Sequence, residues 1–169
     1  MPRLARVAII FNPDLALTAS RYLSPIEMAA SALGIPAVNT PVRNAVDIVH
    51  TIDAFAAEPN GGLLVLPPPP NTSVRNTILQ LAEHHKLPAI YPSQADAAAG
   101  GLLAYATNLV DLHRRAASYV DRILRGAKIN ELPVQFPTKF ELVINLKTAK
   151  AIGLTIPEAF VLRADEVIE

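Results

Sequence analysis

The chain has 169 residues, of which 51% are hydrophobic, and its 15 Lys and Arg residues balance 15 Asp and Glu residues. These values predict one folded domain with a substantial core and exclude a largely disordered chain. The lack of a basic excess argues against nucleic-acid binding, and no apolar run is long enough to span a bilayer. Because there is no cysteine, disulfides, thiolate catalysis and cysteine-ligated zinc are excluded as well.

Short apolar runs alternate with helical stretches along the chain. The first run, 6–11, is rich in Val and Ile without alternation, as in a strand that is covered on both faces. A helix is predicted within 17–33. It starts either at Ser24-Pro25, which resembles a capping box with proline in the first turn, or earlier with a kink at the proline. Gly34 suits the C-terminal end of this helix.

The second and third units lead into a run of prolines. A weak strand at 37–42 precedes a helix that starts after Asn44. The side chains predicted to face inward from that helix are Val46, Val49, Ile52, Phe55 and Ala56. The strand 63–66 then meets four prolines, 67–70, which form a stiff extended segment because proline lacks a backbone N–H. This segment is either a rigid spacer or part of the rim of a binding site.

The remaining units complete a repeated pattern. Asn71 or Thr72 starts a helix whose inward side chains are Val74, Ile78, Leu81 and Ala82. Strands are predicted at 88–91 and 101–106, and after Thr107 and Asn108 a long helix runs to Gly126 with the apolar stripe Leu112, Ala116, Tyr119, Val120 and Ile123. Five strand–helix units predict an α/β fold, with a parallel sheet flanked by helices on both faces.

The tail departs from this pattern. It holds one predicted strand at 140–146, a short helix near 147–152 and two proline breaks. Such an excursion is not needed to finish a fold of this kind, and it suggests packing on another surface. We therefore divide the chain into an α/β unit, 1–126, and a tail, 127–169.

Chemistry is expected at one edge of the sheet. In open parallel sheets, ligands bind beyond the carboxyl ends of the strands, where helix N-termini present unpaired N–H groups. The candidate ligand-binding residues are Asn12, Asp14, Pro68, Asn71, Thr72, Ser93, Tyr105 and Thr107. Each also has a purely structural interpretation: Asn71, Thr72, Ser93 and Thr107 are helix-capping types, Asn12 and Asp14 suit a turn, and Tyr105 suits a core.

Enzyme motifs are not found at these loops. The loop after the first strand, "NPDLALTAS", lacks the glycines of a dinucleotide or phosphate cradle, and no G-x-S-x-G elbow occurs. Pro67 and Thr107 stand where a phospho-acceptor domain would need an aspartate and a lysine. His84 and His85 end a helix, where imidazole suits the negative end of the dipole better than a metal role. The sequence therefore favours binding over catalysis, with no cofactor or metal.

The second half carries a family resemblance. The segments "RRAASYVDRILRGAK", "LPVQFPTKFELVINLKTAKAIGLTIP" and "RADEVIE" strongly resemble the closing sequence of solute-binding proteins of bacterial ABC importers related to tryptophan and tyrosine transport. The resemblance extends from "RVAIIFNPD" onward. It implies a type I periplasmic-binding-protein-like fold, in which two α/β lobes clamp a solute. It also implies that residues 1–126 are the second, ligand-binding lobe and that residues 127–169 are the closing segment, with the secretion signal and first lobe outside this chain.

The chain departs from the family at the cleft edge. Pro68, Pro69 and Pro70 stand where the family usually has an aspartate–proline–aromatic stretch. The loop 93–96 has neither the aromatic nor the basic residues that are common there. The "GGL-x-SYG" pattern keeps only Tyr105 of its last three residues. These departures leave the family's ligand preference open, and the prolines would replace an aromatic wall with a rigid apolar one.

Three functional interpretations follow. The first is a partial, extracytoplasmic substrate-binding component of an ABC importer, which binds a small organic solute such as an amino acid and engages a permease in its full-length context. The second is a flavodoxin-like cytoplasmic sensor or small enzyme that is complete at this length. The third is a lone lobe that self-associates through its C-terminal segment, at least as a dimer, because it exposes apolar surface.

Overall fold

A computed structural model of the protein describes residues 4–67 and 72–169, apart from the side chains of residues 16–20, 72 and 73. Within these residues one seven-stranded sheet has the order β2-β1-β3-β4-β5-β6-β7. Its strands are β1 (Arg6–Phe11), β2 (Ala37–Pro41), β3 (Gly61–Val65), β4 (Ala89–Tyr91), β5 (Leu103–Thr107), β6 (Phe140–Asn145) and β7 (Glu166–Ile168). The helices are α1 (Ala16–Ala32), α2 (Ala45–Ala56), α3 (Thr72–His84), α4 (Gln94–Ala98), α5 (Leu109–Leu124), α6 (Leu146–Ala151) and α7 (Glu158–Val161).

The sheet confirms the predicted fold class. Strands β1 to β5 pair in parallel, whereas β6 pairs antiparallel with β5 and β7 pairs parallel with β6. Right-handed crossovers place α1 and α2 on opposite faces, because the chain moves outward from β1 to β2 and then back past β1 to β3. Helices α2 and α3 pack against each other on one face. Strand β7 and helix α7 are absent from the sequence-based prediction.

The main core lies between the sheet and the α2–α3 face. It combines inward residues of β1, β3 and β4, such as Ala8, Ile10 and Leu63, with buried residues of both helices. From α3 the predicted residues Val74, Ile78 and Ala82 are buried, as expected from their helical spacing. Two smaller clusters hold the strands from β5 to β7: one joins Ala97, Ala104 and Val143, and the other joins Leu102 to α6.

The inward face predicted for α2 is partly wrong. The side chain of Asn44 caps the helix as predicted, since its Oδ1 accepts from the N–H groups of Val46 and Asp47. However, Val46 is 64% exposed and Val49 is also exposed, whereas Ile48 is fully buried. The buried face consists of Ile48, Ile52 and Phe55, one helical turn apart, and apolarity alone did not separate it from its neighbours.

The start predicted for the first helix at Ser24-Pro25 is also wrong. Helix α1 begins at Ala16 and carries Pro25 in its interior, which matches the earlier start considered as an alternative. Proline removes one hydrogen bond within a helix. The crossover from β1 to β2 nevertheless needs a helix that spans the sheet, so tertiary packing outweighs this local signal. Gly34 takes a φ of +66° directly after the helix end, as predicted.

The chain makes a long excursion between β5 and β6. This arm, residues 108–139, contains α5, a 3-10 turn at Ile129–Glu131 and an extended return. Gly126 ends α5 with a φ of +96°, as predicted. The predicted apolar stripe of α5 is present but only partly covered: Leu112 and Tyr119 are half-buried, the other stripe residues are exposed, and no residue of α5 is fully buried. Beyond the arm, residues 140–168 return to the sheet as β6, α6, α7 and β7.

The corrected face of α2 can be tested with a matched pair of substitutions. Ile48→Ala removes a fully buried side chain, so we expect the free energy of unfolding to fall by about 2–5 kcal/mol. Val46→Ala removes an exposed side chain two residues away, and we expect a change within about 0.5 kcal/mol. Urea denaturation followed by circular dichroism measures both. Equal losses for the two variants would contradict the packing described above.

Candidate functional site

Five parallel strands bring the candidate residues to one edge of the sheet. Asn12 and Asp14 follow β1, Ser93 follows β4, and Thr107 ends β5. Because parallel strands end at the same edge, these residues share one rim, which we define as residues 12–14, 93–96, 107–108 and 139–141. Helix α3 begins here with Thr72, whose side chain is not described. Pro68 and Asn71 lie outside the described residues.

The loop after β1 is held by local bonds. Asn12 Oδ1 accepts from the backbone N–H of Asp14 at 2.9 Å, which is the turn geometry that the structural interpretation predicts. Asp14 Oδ1 lies 3.3 Å from Arg43 Nε, and both side chains are well exposed. This ion pair links the ends of β1 and β2. Asn12 and Asp14 therefore shape the rim, and the side chain of Asp14 remains accessible to solvent.

Ser93 acts as a helix cap. Its Oγ accepts from the backbone N–H of Ala95 at 3.2 Å, and it precedes α4 as the N-cap residue. The capping role that the structural interpretation gave to Thr107 belongs instead to Asn108. The Oδ1 of Asn108 accepts from Asp111 N–H at 2.7 Å. Thr107 ends β5, where its backbone pairs with Phe140.

A buried carboxylate lies beneath the rim between α3 and α4. Asp96 is 3% exposed, and its Oδ1 lies 3.8 Å from Arg75 Nε. Among the described residues this Nε has no hydrogen-bond partner. Burial raises the pKa of Asp96, while the charge of Arg75 and the backbone N–H of Ser93 oppose that rise. Arg75 thus connects the first turns of the two helices that start at the rim.

The position of Asp96 also explains Gly101. A Cβ on this residue would lie 2.8 Å from ring carbons of Tyr91 and 2.9 Å from the carbonyl oxygen of Asp96. The backbone of Gly101 donates to that carbonyl at 2.8 Å. A glycine is therefore required for the chain to enter β5 this close to α4.

Tyr105 lies on the sheet surface rather than in the core. It is 56% exposed and stacks on Phe140 of β6, with ring centroids 5.7 Å apart and planes 15° apart. Phe140 is itself 46% exposed. The two rings form an open aromatic platform beside the rim, which is a common surface for flat apolar groups. The sequence singled out Tyr105 but not Phe140, because the pairing of β5 with β6 was not predicted.

Glu141 is the polar centre of the rim. Its Oε2 accepts from Gln94 Nε2 of α4, its Oε1 accepts from Asn108 Nδ2, and Lys139 Nζ lies 3.3 Å from Oε1. The hydrogen bond from Asn108, followed by those from Gln94 and Lys139, holds the pKa of Glu141 below its ordinary value. Sequence reasoning missed this group. The available signal was a single charge in the strand "FELVIN", in which the only other polar residue is Asn145 at its end.

Most polar groups of the rim are engaged by other groups of the chain. Each charged side chain of the rim has a partner of opposite charge: Asp14 pairs with Arg43, Asp96 with Arg75, and Glu141 with Lys139. The hydroxyl and amide groups of the rim mostly cap helices or bind Glu141. Across residues 4–67 and 72–169, no three His, Asp or Glu side chains cluster at metal-binding distances. A cavity of about 220 Å³ opens at the opposite edge, near Asn60, His85 and Pro88, and none of the predicted site residues lines it.

The family of the chain follows from its match to known proteins. The family model described as "ABC transporter substrate binding protein" matches residues 1–168. The chain belongs to the ABC transporter substrate-binding protein family. This result confirms the resemblance found in the tail, and it favours solute binding over the sensor or enzyme interpretation. A search of curated proteins finds no significant match.

Three solved structures share the fold of this chain. A conserved domain protein from Vibrio cholerae O1 biovar eltor is 24% identical with a TM-score of 0.86, and the alignment covers 99% of this chain and 56% of that one. An ABC domain from Streptococcus pneumoniae in complex with L-Trp is 21% identical with a TM-score of 0.83, covering 96% and 55%. The ligand-free, open CD0873 of Clostridium difficile is 16% identical with a TM-score of 0.68, covering 96% and 54%.

The chain therefore spans a little over half the length of these structures. Its family consists of solute-binding components of transporters, which are typically extracytoplasmic. The described part of this substrate-binding protein contains no helix that is both long and apolar enough to cross a membrane.

The pKa values of Asp96 and Glu141 are shifted in opposite directions, so the two carboxylates should affect the pH dependence of folding stability with opposite sign. The raised pKa of Asp96 means that its ionisation costs stability, and this cost appears as pH rises above its ordinary value of 3.8. The lowered pKa of Glu141 means that its ionised form stabilises the fold, and this contribution is lost as pH falls below its ordinary value of 4.5.

We expect Asp96→Asn to gain stability relative to the parent as pH rises from 4 to 7, and Glu141→Gln to lose stability relative to the parent over the same range. Urea denaturation at several pH values measures both differences, and each variant serves as the control for the other. Parallel pH slopes for the two variants would contradict this assignment of the carboxylates.

Proposed function

We propose that this chain forms one ligand-binding lobe of an ABC importer's substrate-binding component and binds a small organic solute such as an amino acid. The observation that carries this proposal is the convergence of β1, β4 and β5 on one polar rim, in a chain that belongs to a solute-binding family. Binding without chemistry fits the paired charges and capped helices of that rim.

The rim offers two kinds of contact to such a solute. The N-termini of α3 and α4, with Thr72 and Ser93, would receive an anionic group such as a carboxylate. Asn12, Asp14 and Thr107 would contribute polar contacts, and the Tyr105–Phe140 platform would receive an apolar or aromatic part. Pro68 and Asn71 enter the proposal through sequence alone. The S. pneumoniae structure with L-Trp supports testing aromatic amino acids first.

A second α/β lobe would complete the site. Substrate-binding proteins close around a solute because the closed state binds it more tightly, and a permease then recognises that state. The exposed apolar residues of the arm suit such a contact: Val134 and Phe136 of its return are 88% and 80% exposed. We propose that the arm and the rim face this second lobe, outside the cytoplasm.

Solute binding can be tested at the aromatic platform. We expect an L-amino acid, with L-tryptophan first in the panel, to bind the native-length polypeptide that contains this chain. Tyr105→Ala should weaken that binding roughly tenfold, because it removes an exposed ring beside the rim. Leu33→Ala is the control, since this exposed residue follows α1 at the opposite edge of the sheet. Isothermal titration measures both affinities. Absence of binding by every amino acid and small organic acid tested would sink the proposal.

The molar mass of the chain in solution tests whether a second copy of this chain acts as the second lobe. A second copy of this chain could cover the arm, and light scattering of the 169-residue chain at micromolar concentration would then report a dimer. We expect Val134→Ser combined with Phe136→Ser to shift such a dimer to monomer, because the two side chains lose most of the apolar area they offer. A monomeric parent would exclude a second copy as the partner and leave a different α/β lobe in that role.

A further inference from the structure

The arm leaves the sheet and rejoins it at one place. It leaves the sheet after Thr107 and returns at Phe140, and these two residues are register partners. The backbone N–H of Asn108 donates to the carbonyl of Lys139 at 3.0 Å, so the two ends of the arm lie side by side. The orientation of the whole excursion is therefore decided at its base.

Beyond this base the arm is held mainly by bonds to itself. Tyr119 Oη donates to the carbonyl of Pro133, and Arg115 donates to Thr138 Oγ1, so the extended return runs along α5. Arg115 also pairs with Asp111 at 2.8 Å. Because no residue of α5 is buried, packing on the sheet contributes little to the direction of the arm. The direction of the arm must therefore be fixed by the polar contacts at its base.

One carboxylate organises that base. An ionised carboxylate only accepts hydrogen bonds, so both amide side chains that contact Glu141 must direct their NH₂ groups toward it. This orientation leaves Asn108 Oδ1 facing the N–H of Asp111, where it caps α5. The same carboxylate fixes Gln94, the first residue of α4, which directly follows Ser93 of the rim.

We propose that Glu141 is a positioning residue that ties the arm to the rim and fixes the direction in which the arm leaves the lobe. The tie itself depends on contacts within this chain and needs no solute. Under the proposed function it has a further consequence. A solute that shifts Ser93 and the start of α4 would move Gln94, and Glu141 would pass that movement to the first turn of the arm.

Glu141 is the carboxylate that contacts the arm, α4 and Lys139 together. From the base, Lys139 faces it at 3.3 Å. The titratable residue of α4, Asp96, pairs with Arg75, and that of the first turn of α5, Asp111, pairs with Arg115. Protonation of Glu141 would remove the charge that holds two amides and a lysine, so acid should release the arm.

The cysteine-free sequence permits a direct measurement. Spin labels at Leu124→Cys, near the end of α5, and at Leu33→Cys, on the lobe, report the distance distribution between arm and lobe by double electron–electron resonance. Both positions are highly exposed, at 82% and 71%. Glu141→Gln keeps the size of the side chain but replaces a carboxylate oxygen with an NH₂ group, which would face the NH₂ groups of Gln94 and Asn108. We therefore expect the distance distribution to broaden at least about twofold at pH 7. The matched control is Glu131→Gln, which removes an exposed pair with Lys128 inside the arm and should leave the width unchanged.

A pH series separates positioning from simple loss of structure. The parent should broaden toward the width of Glu141→Gln as pH falls below 4.5, the ordinary value for glutamate. The variant should change little over the same range, because it lacks the carboxylate that takes up the proton. Equal widths for the parent and Glu141→Gln at pH 7 would overturn the proposal. This failure would leave solute binding untouched, because no solute is present.

A second variant covers the case in which Glu141→Gln fails to fold. Asn108→Asp keeps an oxygen that can cap α5 but places a like charge against Glu141. We expect the same broadening at pH 7. A width equal to that of the parent would overturn the proposal by itself.

Discussion

The antiparallel pairing of β5 with β6 is the constraint on which the architecture of the site depends. Five parallel strands would end an ordinary doubly wound sheet, but β6 adds an edge in the opposite direction. The end of β5 and the start of β6 consequently coincide, and everything between them must leave and return at the rim. This one pairing places Phe140 beside Tyr105, Glu141 beside Asn108, and the base of the arm beside the region proposed to bind solute.

The same pairing marks the boundary of what the sequence could predict. The parallel units were predicted correctly because each depends on local signals: β-branched runs, the cap at Asn44, and glycines at 34 and 126. The candidate residues after β1, β4 and β5 were placed on one edge by topology alone. Phe140 and Glu141 were missed because their roles depend on a contact between strands separated by the arm, and no local pattern encodes it.

Other errors have a similar physical origin. In α2 several apolar residues lie on adjacent faces, and only the sheet determines that Ile48 is buried while Val46 is exposed. Ser24-Pro25 has the chemistry of a helix start, yet the crossover from β1 to β2 requires helix on both sides of it. The stripe of α5 was identified correctly as a helical face. Its exposure could not be inferred, because amphipathicity shows that a helix needs a partner and not where that partner lies.

The unequal division of the core has a consequence for how the protein unfolds locally. Most of the buried residues of the main cluster join β1, β3 and β4 to α2 and α3, whereas β5, β6 and β7 depend on two small clusters. Cooperative units with fewer apolar contacts open at lower free energy. The last two strands should therefore detach before the rest of the sheet unfolds. Since Glu141 belongs to β6, such a partial opening would free one end of the arm while the helices at the rim stay folded.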